Sequence, residues 1–169
     1  SDNTDPLDRI YIQWEYSYFY PAISSSNHVS DWGKQPLKYR TDVAMMGKLG
    51  FDIVVSKLEQ HDLQFAQQAV KTYDAVKSII WHGDQYRLAN PREGSVASML
   101  YVDEKQSHGV IFNYLVNNRY DERSKLPIRL KGLKANAKYK IREVNLYPGT
   151  RSAIDPDKVY SGDFLMKVG

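Results

Sequence analysis

Asp2 and Asp5 stand three residues apart at the start of the chain, on either side of Asn3-Thr4 and directly ahead of Pro6. Two carboxyl groups in one short loop can divide acid/base work when one is desolvated and keeps its proton while the other stays ionised. The same spacing also suits a polar leader followed by a helix cap, because Asp is a favoured residue just before a helix that opens with Pro. Four histidines follow, His28, His61, His82 and His108. None pairs with a carboxylate in a recognised metal-ligand spacing, so no metal centre is expected. His61 and His82 fit solvated or helix-end positions. His28 follows a polar loop, where it either lines a cleft or is a hydrogen-bonded structural histidine. Asp31 and Trp32 form an acid–aromatic pair in a loop. Such a pair can hold a sugar, the ring stacking on C–H groups and the carboxylate accepting hydroxyls, or it can simply pack the loop. Gly-rich phosphate loops and nucleophile elbows are absent, which argues against phosphoryl and acyl transfer.

The elements that must position these residues change character near Gly83. Before it the apolar periods are helical; after it they alternate. A first helix is predicted from Pro6 to about Tyr16, capped by Thr4 or Asp5, with Leu7, Ile10, Tyr11 and Trp14 as its buried stripe. Tyr16 to Ile23, interrupted by Pro21, reads as a buried strand or strand end. Ser24 to Asn27 reads as a polar loop leading to His28-Val29-Ser30. A second helix is predicted from Pro36 to about Lys48, with Tyr39, Val43 and Met46 on one face, and Phe51 to Val55 as a short apolar link. A third helix ends at His82-Gly83. Ser56 and Glu59 suggest a capping box, and Leu63, Ala66, Val70, Tyr73 and Ile80 a stripe. Strands are predicted at Gln85–Ala89, Val96–Asp103, His108–Val116, Pro127–Lys131 and Ala137–Val144, followed by a last apolar run at Phe164–Val168. The second half therefore reads as an antiparallel β-sandwich. The first half, helices with no evident sheet of their own, reads as a piece of something larger, since a closed parallel barrel needs eight strand–helix units.

Composition sets outer limits. With 42% hydrophobic and 25% charged residues, the chain has the balance of a water-soluble globular protein. A net charge of +3 over 169 residues is too mild for a nucleic-acid-binding face. The basic stretch Arg123–Arg142 alternates with apolar residues and is expected to be the wet face of strands. No run of about 18 apolar residues is present, so no membrane span is expected. The absence of cysteine excludes disulfides and thiol chemistry without deciding the compartment. The 13 tyrosines suit a β-domain core or a sugar-facing surface.

The order of short motifs is more specific than any one of them. Ser1-Asp2-Asn3-Thr4-Asp5 resembles the S-D-x-T-D segment of family-36 glycoside hydrolases. Tyr20-Pro21 and His28-Val29-Ser30 follow in the order of that family. Arg40, Val43-Ala44, Met46-Gly47 and Leu49-Gly50 match its R-x-x-V-A-x-x-G-x-x-G segment. Lys57-Leu58, Gly83-Asp84 and Tyr86-Arg87-Leu88 continue the match. Leu130-Lys131-Gly132-Leu133 and Gly162-Asp163-Phe164-Leu165-Met166 resemble landmarks of its C-terminal domain.

That resemblance implies the end of a TIM (β/α)8 barrel over residues 1–84 and an antiparallel β-sandwich over residues 85–169. It implies retaining hydrolysis of terminal α-galactosides of the raffinose and melibiose type, with no cofactor and no metal. Asp2 matches the general acid/base, and Asp5 the second carboxylate of the motif, here read as a cap or support. His28 and Trp32 are the candidate substrate contacts. Expected partners are an oligosaccharide with a terminal α-galactose and the remainder of the catalytic barrel, with neither nucleic acid nor membrane; members of the family are often homo-oligomers. Two departures stand out. The family's nucleophile lies in a K-W-D segment that does not occur here, so the chain alone is expected to be inactive. Ser25-Ser26-Asn27-His28 and Asp31-Trp32-Gly33-Lys34 also replace the family's M-G-A-H and Pro-Asn-His stretches. A final strand beyond Gly169 is a further expectation; without it a sheet edge would be open to another chain. The rival reading is a non-catalytic carbohydrate-binding or structural β-module.

Overall fold

The computed structural model describes residues 4–31, 33–117 and 127–169. Helix α1 (Pro6–Tyr16) starts where expected. The Asp5 carboxylate accepts from the Leu7 and Asp8 amides at 3.0 and 3.2 Å, which satisfies donors that a helix start leaves open. Its buried face, however, is Pro6, Arg9, Ile10, Gln13 and Trp14, with Leu7 and Tyr11 only half-buried. Apolar periodicity missed this because two of the inward residues are polar. Arg9 and Gln13 are buried against partners on the following loop and strand, which makes their burial tolerable.

Tyr16–Ile23 is not a buried strand. Tyr18, Phe19 and Tyr20 are 57%, 82% and 56% exposed. Tight turns take up the backbone instead, with Tyr18 N–H bonding Glu15 C=O and Phe19 N–H bonding Tyr16 C=O. The strand comes later, at β1 (Ser26–Val29), beginning within the predicted polar loop Ser24–Asn27 and ending at His28-Val29. Helix α2 (Leu37–Ala44) is shorter than predicted, and the chain enters a second strand, β2 (Lys48–Phe51), which pairs parallel with β1. Gly47 explains the early stop. A Cβ there would lie 2.6 Å from the Ser25 carbonyl oxygen, so only glycine lets the turn after α2 pass so close to the chain entering β1.

Helix α3 (Gln60–His82) has no side-chain cap, because residues 55–57 form a separate tight turn and the Ser56–Glu59 box does not assemble. Phe65, Ala69, Tyr73 and Ile80 are its buried residues. Leu63 and Ala66 are half-buried and Val70 is 42% exposed, so the stripe is rotated from the expected one. The helix serves two layers. Phe65 and Ala69 join Val29, Leu37 and Ala44 behind the parallel pair. Tyr73 and Ile80 join a second cluster with Ala97, Met99, Tyr101, Phe112 and Tyr114, into which Ile10, Trp14, Val43, Met45 and Met46 also pack. The helical half and the β half thus meet in this second cluster.

Strands β3 (Asp84–Ala89), β4 (Val96–Val102) and β5 (Gly109–Leu115) form an antiparallel sheet in that order, close to the predicted bounds. The β4–β5 turn closes on Asp103, whose carboxylate accepts from the Ser107 and His108 amides and from the Ser107 hydroxyl. Partial burial works against the ionised carboxylate, but these bonds together outweigh it and hold Asp103 down at about 2. A carboxylate lowered on folding stabilises the native state above its unfolded value, and that contribution is lost as pH falls. Asp103→Ala is therefore expected to lower the unfolding midpoint at pH 5 and above. The difference from the parent should shrink between about pH 4 and pH 2 in a urea titration repeated across that range.

The remaining strands are shorter than predicted. Residues 127–131 are irregular, tied by the Leu130 amide to the Leu165 carbonyl at 2.8 Å. The stretch predicted as Ala137–Val144 reduces to β6 (Lys138–Lys140), paired antiparallel with β7 (Val159–Ser161). The last apolar run is helical, α4 (Gly162–Lys167), capped by the Ser161 hydroxyl on the Phe164 amide. Arg129, Lys131, Lys138, Lys140 and Arg142 are exposed, as a wet face requires; Arg123 and Lys125 lie outside the described residues. Among the described residues there is no closed barrel, and no helix is long and apolar enough to cross a membrane.

Candidate functional site

Strand β1 alternates cleanly. Asn27 and Val29 are buried towards the helices, while Ser26 and His28 are exposed on the opposite face. The register Ser26↔Lys48 and His28↔Gly50 puts exposed Lys48 and half-buried Gly50 on that same face. The His28 ring lies over Gly50, its Cδ2 3.4 Å from where a Cβ would be. Of the three residues singled out for chemistry, His28 is thus on the open face of the parallel pair, one residue before the end of β1. Asp2 and Trp32 lie outside the described residues.

The chain leaving β1 is bonded to the segment that precedes α1. Ser30 is buried, and its hydroxyl meets the Thr4 hydroxyl at 2.5 Å. Arg40, on α2, donates through Nη1 to the Ser30 carbonyl and stands 3.4 Å from the Asp31 carboxylate. Gly33 completes the loop with φ +78°, and a Cβ there would sit 2.5 Å from Asp5 Oδ2 and 3.0 Å from Pro6 Cδ. Both the left-handed backbone and the close approach to the helix cap require glycine. Gly33→Ala is expected to lower stability by about 1–2 kcal/mol, from backbone strain plus a disturbed Asp5 cap. Thermal unfolding of the variant measures it.

The layer behind β1 is polar and buried. Arg9 donates to Asn27 Oδ1 through Nε at 2.8 Å and Nη2 at 2.5 Å, and through Nη2 to the Ser26 carbonyl at 3.0 Å. The Ser25 hydroxyl bonds Gln13 Oε1 at 2.8 Å. Burial lowers the Arg9 pKa from its ordinary value, yet such a guanidinium stays charged at neutral pH. Helix α2 is gripped from its other side. The Asp42 carboxylate accepts from Lys38 Nζ at 2.6 Å and Asn145 Nδ2 at 2.5 Å, and its carbonyl from the Tyr114 hydroxyl at 2.7 Å. Burial pushes the Asp42 pKa up against the opposing pull of Lys38 and Asn145. The Tyr39 hydroxyl donates to the Leu115 carbonyl at 3.1 Å. Burial, then the nearby Tyr11 and Asp5, push its pKa up to about 12, so it remains protonated.

The sequence offers Thr4 or Asp5 as the cap, of which Asp5 is the one, and carries Arg40 and Ser30 only as motif letters. Sequence reasoning did not find the Arg9–Asn27 pair or the Thr4–Ser30 bond. The one available signal was the polar identity of Arg9, Gln13 and Asn27 at positions whose periods face inward. Among the described residues no three His, Asp or Glu side chains gather as a metal ion would need.

Comparison with known proteins sets this arrangement in a family. Residues 1–83 match the Melibiase family model, and residues 96–169 match the model of the glycosyl hydrolase family 36 C-terminal domain. The chain is 32% identical over 155 residues to alpha-galactosidase AgaA of Geobacillus stearothermophilus, covering 88% of this chain and 21% of that protein. It is 30% identical over 177 residues to alpha-galactosidase 2 of Hypocrea jecorina, covering 100% of this chain and 22% of that one. The solved family-36 alpha-galactosidase AgaB from Geobacillus stearothermophilus superposes with a TM-score of 0.87 at 31% identity, over 100% of this chain and 22% of that structure. A variant of AgaA from the same organism, in complex with raffinose, superposes with a TM-score of 0.86 at 30% identity, over 99% of this chain and 22% of that one. The chain spans about a fifth of the length of the curated relatives it matches. With both family models matched in order along nearly its whole length, the chain belongs to glycoside hydrolase family 36 and carries that family's C-terminal domain.

Proposed function

We propose that this chain is the C-terminal part of a longer retaining α-galactosidase. In this reading, residues 1–84 supply the last strand–helix units of a (β/α)8 barrel and residues 85–169 an antiparallel β-sandwich domain. The observation that carries it is the Thr4–Ser30 bond. It ties the segment that follows Asp2 to the C-terminal end of a parallel strand, and in barrels of this kind catalytic groups sit at the C-terminal ends of the strands. The open face bearing Ser26, His28, Lys48 and Gly50 is then the face turned to the barrel interior, covered by the other barrel strands.

Asp2 is the acid/base. As a carboxylic acid it protonates the departing glycosidic oxygen; as a carboxylate it then takes a proton from the water that releases the sugar. The nucleophilic carboxylate, about 5 Å away in a retaining enzyme, comes from the part of the protein that precedes this chain. His28 and Trp32 contact the sugar. The substrates are terminal α-galactosides of the raffinose and melibiose type; relatives named alpha-galactosidases, with solved complexes holding raffinose and stachyose, support that class.

The experiment is hydrolysis of raffinose, whose sugar leaving group needs a proton, by this chain and by the longer protein, each with and without Asp2→Asn. Activity confined to the longer protein and lost with Asp2→Asn is expected. Activity of the chain alone would sink the claim that the nucleophile lies elsewhere. Inactivity of the longer protein would sink the enzyme reading.

A further inference from the structure

We propose that Arg40 is a positioning residue for the acid/base carboxylate, acting through Ser30 and Thr4; this rests on the assignment of Asp2 above. The side chain of Arg40 is only 18% exposed. It delivers Nη1 to the Ser30 carbonyl, where the chain leaves β1. From the same residue, the Ser30 hydroxyl reaches the Thr4 hydroxyl at 2.5 Å. One short run of hydrogen bonds therefore connects helix α2 to Thr4, which is two residues from Asp2 in sequence.

Arginine suits this task because its planar fork fixes direction as well as charge, which a lysine ammonium does not. The fork also has capacity in reserve, since Arg40 Nε is buried and has no acceptor among the described residues. The helix that carries Arg40 is itself pinned by the β half. Asn145 holds the Asp42 carboxylate and Tyr114 its carbonyl. Arg40 and Asp42 are two positions apart on the helix, and α2 presents Arg40 to the loop at β1 and Asp42 to the β half. The C-terminal domain thereby bears, through α2, on the Ser30–Thr4 contact.

Proton transfer is steep in distance, and a displacement of about 1 Å can cost about 100-fold in rate. The test uses the longer protein and compares kcat/KM on two substrates. Raffinose has a sugar leaving group that needs a proton. A 2,4-dinitrophenyl α-galactoside has one that does not. Arg40→Ala and Thr4→Val are expected to lower kcat/KM on raffinose by about 10- to 100-fold, with less than about threefold loss on the dinitrophenyl substrate. Arg40→Lys should recover part of the loss. Thr4→Val, which removes one hydroxyl and leaves α2 untouched, decides the matter if Arg40→Ala does not fold. An equal loss on both substrates, or no loss, overturns the positioning role. Asp2→Ala is run alongside. If it shows the split and the Arg40 and Thr4 variants do not, only the positioning role falls; if Asp2→Ala shows no split, the acid/base assignment falls with it.

Discussion

Asp2→Asn in the longer protein is expected to lower kcat/KM on raffinose by about 1000-fold, at the centre of what a positioned general acid contributes. The substitution preserves shape and much of the hydrogen bonding but leaves no proton to donate, so the loss isolates the chemistry from the packing. Three companion readouts follow from the same mechanism. A dinitrophenyl α-galactoside should keep most of its kcat/KM, because its leaving group departs without a proton. Its kcat should fall, because release of the glycosyl-enzyme still needs a base for water. Added azide, a nucleophile that needs no such base, should restore that kcat and give galactosyl azide. Finally, the alkaline limb of the pH profile of kcat/KM on raffinose, set by loss of the acid's proton, should disappear in the variant. A uniform loss on both substrates, with no azide effect, would assign Asp2 a supporting role and return the search for the acid to other carboxylates.

What the sequence made legible divides along a physical line. Helices α1 and α3 announce themselves because their apolar residues recur near the helical period, although the face each buries is not the apolar stripe, and strand β5 because buried Phe112 and Tyr114 alternate with exposed Asn113 and Leu115. Strand β1 does not, because Ser26, Asn27 and His28 are polar and only Val29 is an apolar anchor. A parallel strand with a polar inward face is recognised by its partners, and those partners are Arg9 on one side and β2 on the other. The aromatic run Tyr16–Tyr20 errs in the opposite direction. Its composition says core, yet the chain turns there and leaves the rings outside, Tyr18 under the Arg87 guanidinium at 4.0 Å. The site shows the same division. Asp5 was readable as a cap because capping depends on residues adjacent in sequence. Arg40 was not readable as a donor to Ser30, because the acceptor is a main-chain carbonyl ten residues away and carries no side-chain signature.

The rotated stripe of α3 gives a second large effect, on stability. Phe65→Ala is expected to lower unfolding free energy by about 3–5 kcal/mol, the usual range for emptying a buried aromatic site. Phe65 is 1% exposed and fills the space behind β1 with Val29, Leu37, Ala44 and Ala69. Two of these neighbours are alanines and Val29 is fixed by the strand, so only Leu37 can fill part of the hole. The loss extends across the chain. The Tyr147 ring packs on Phe65 with centroids 5.4 Å apart, and its hydroxyl donates to Asp62, one turn back on α3, at 2.7 Å. Removing Phe65 therefore also slackens a contact that ties the β half to the helix. Val70→Ala makes the counter-test, because Val70 belongs to the stripe that periodicity favoured but is 42% exposed. It should change stability by no more than about 0.5 kcal/mol. Urea unfolding followed by tryptophan fluorescence, to which buried Trp14 contributes, measures both with the slope unchanged. If Val70→Ala proved the costlier of the two, the helix would present a different face to β1. The backing of Val29 and of the Ser30 loop beyond it would then have to come from other residues.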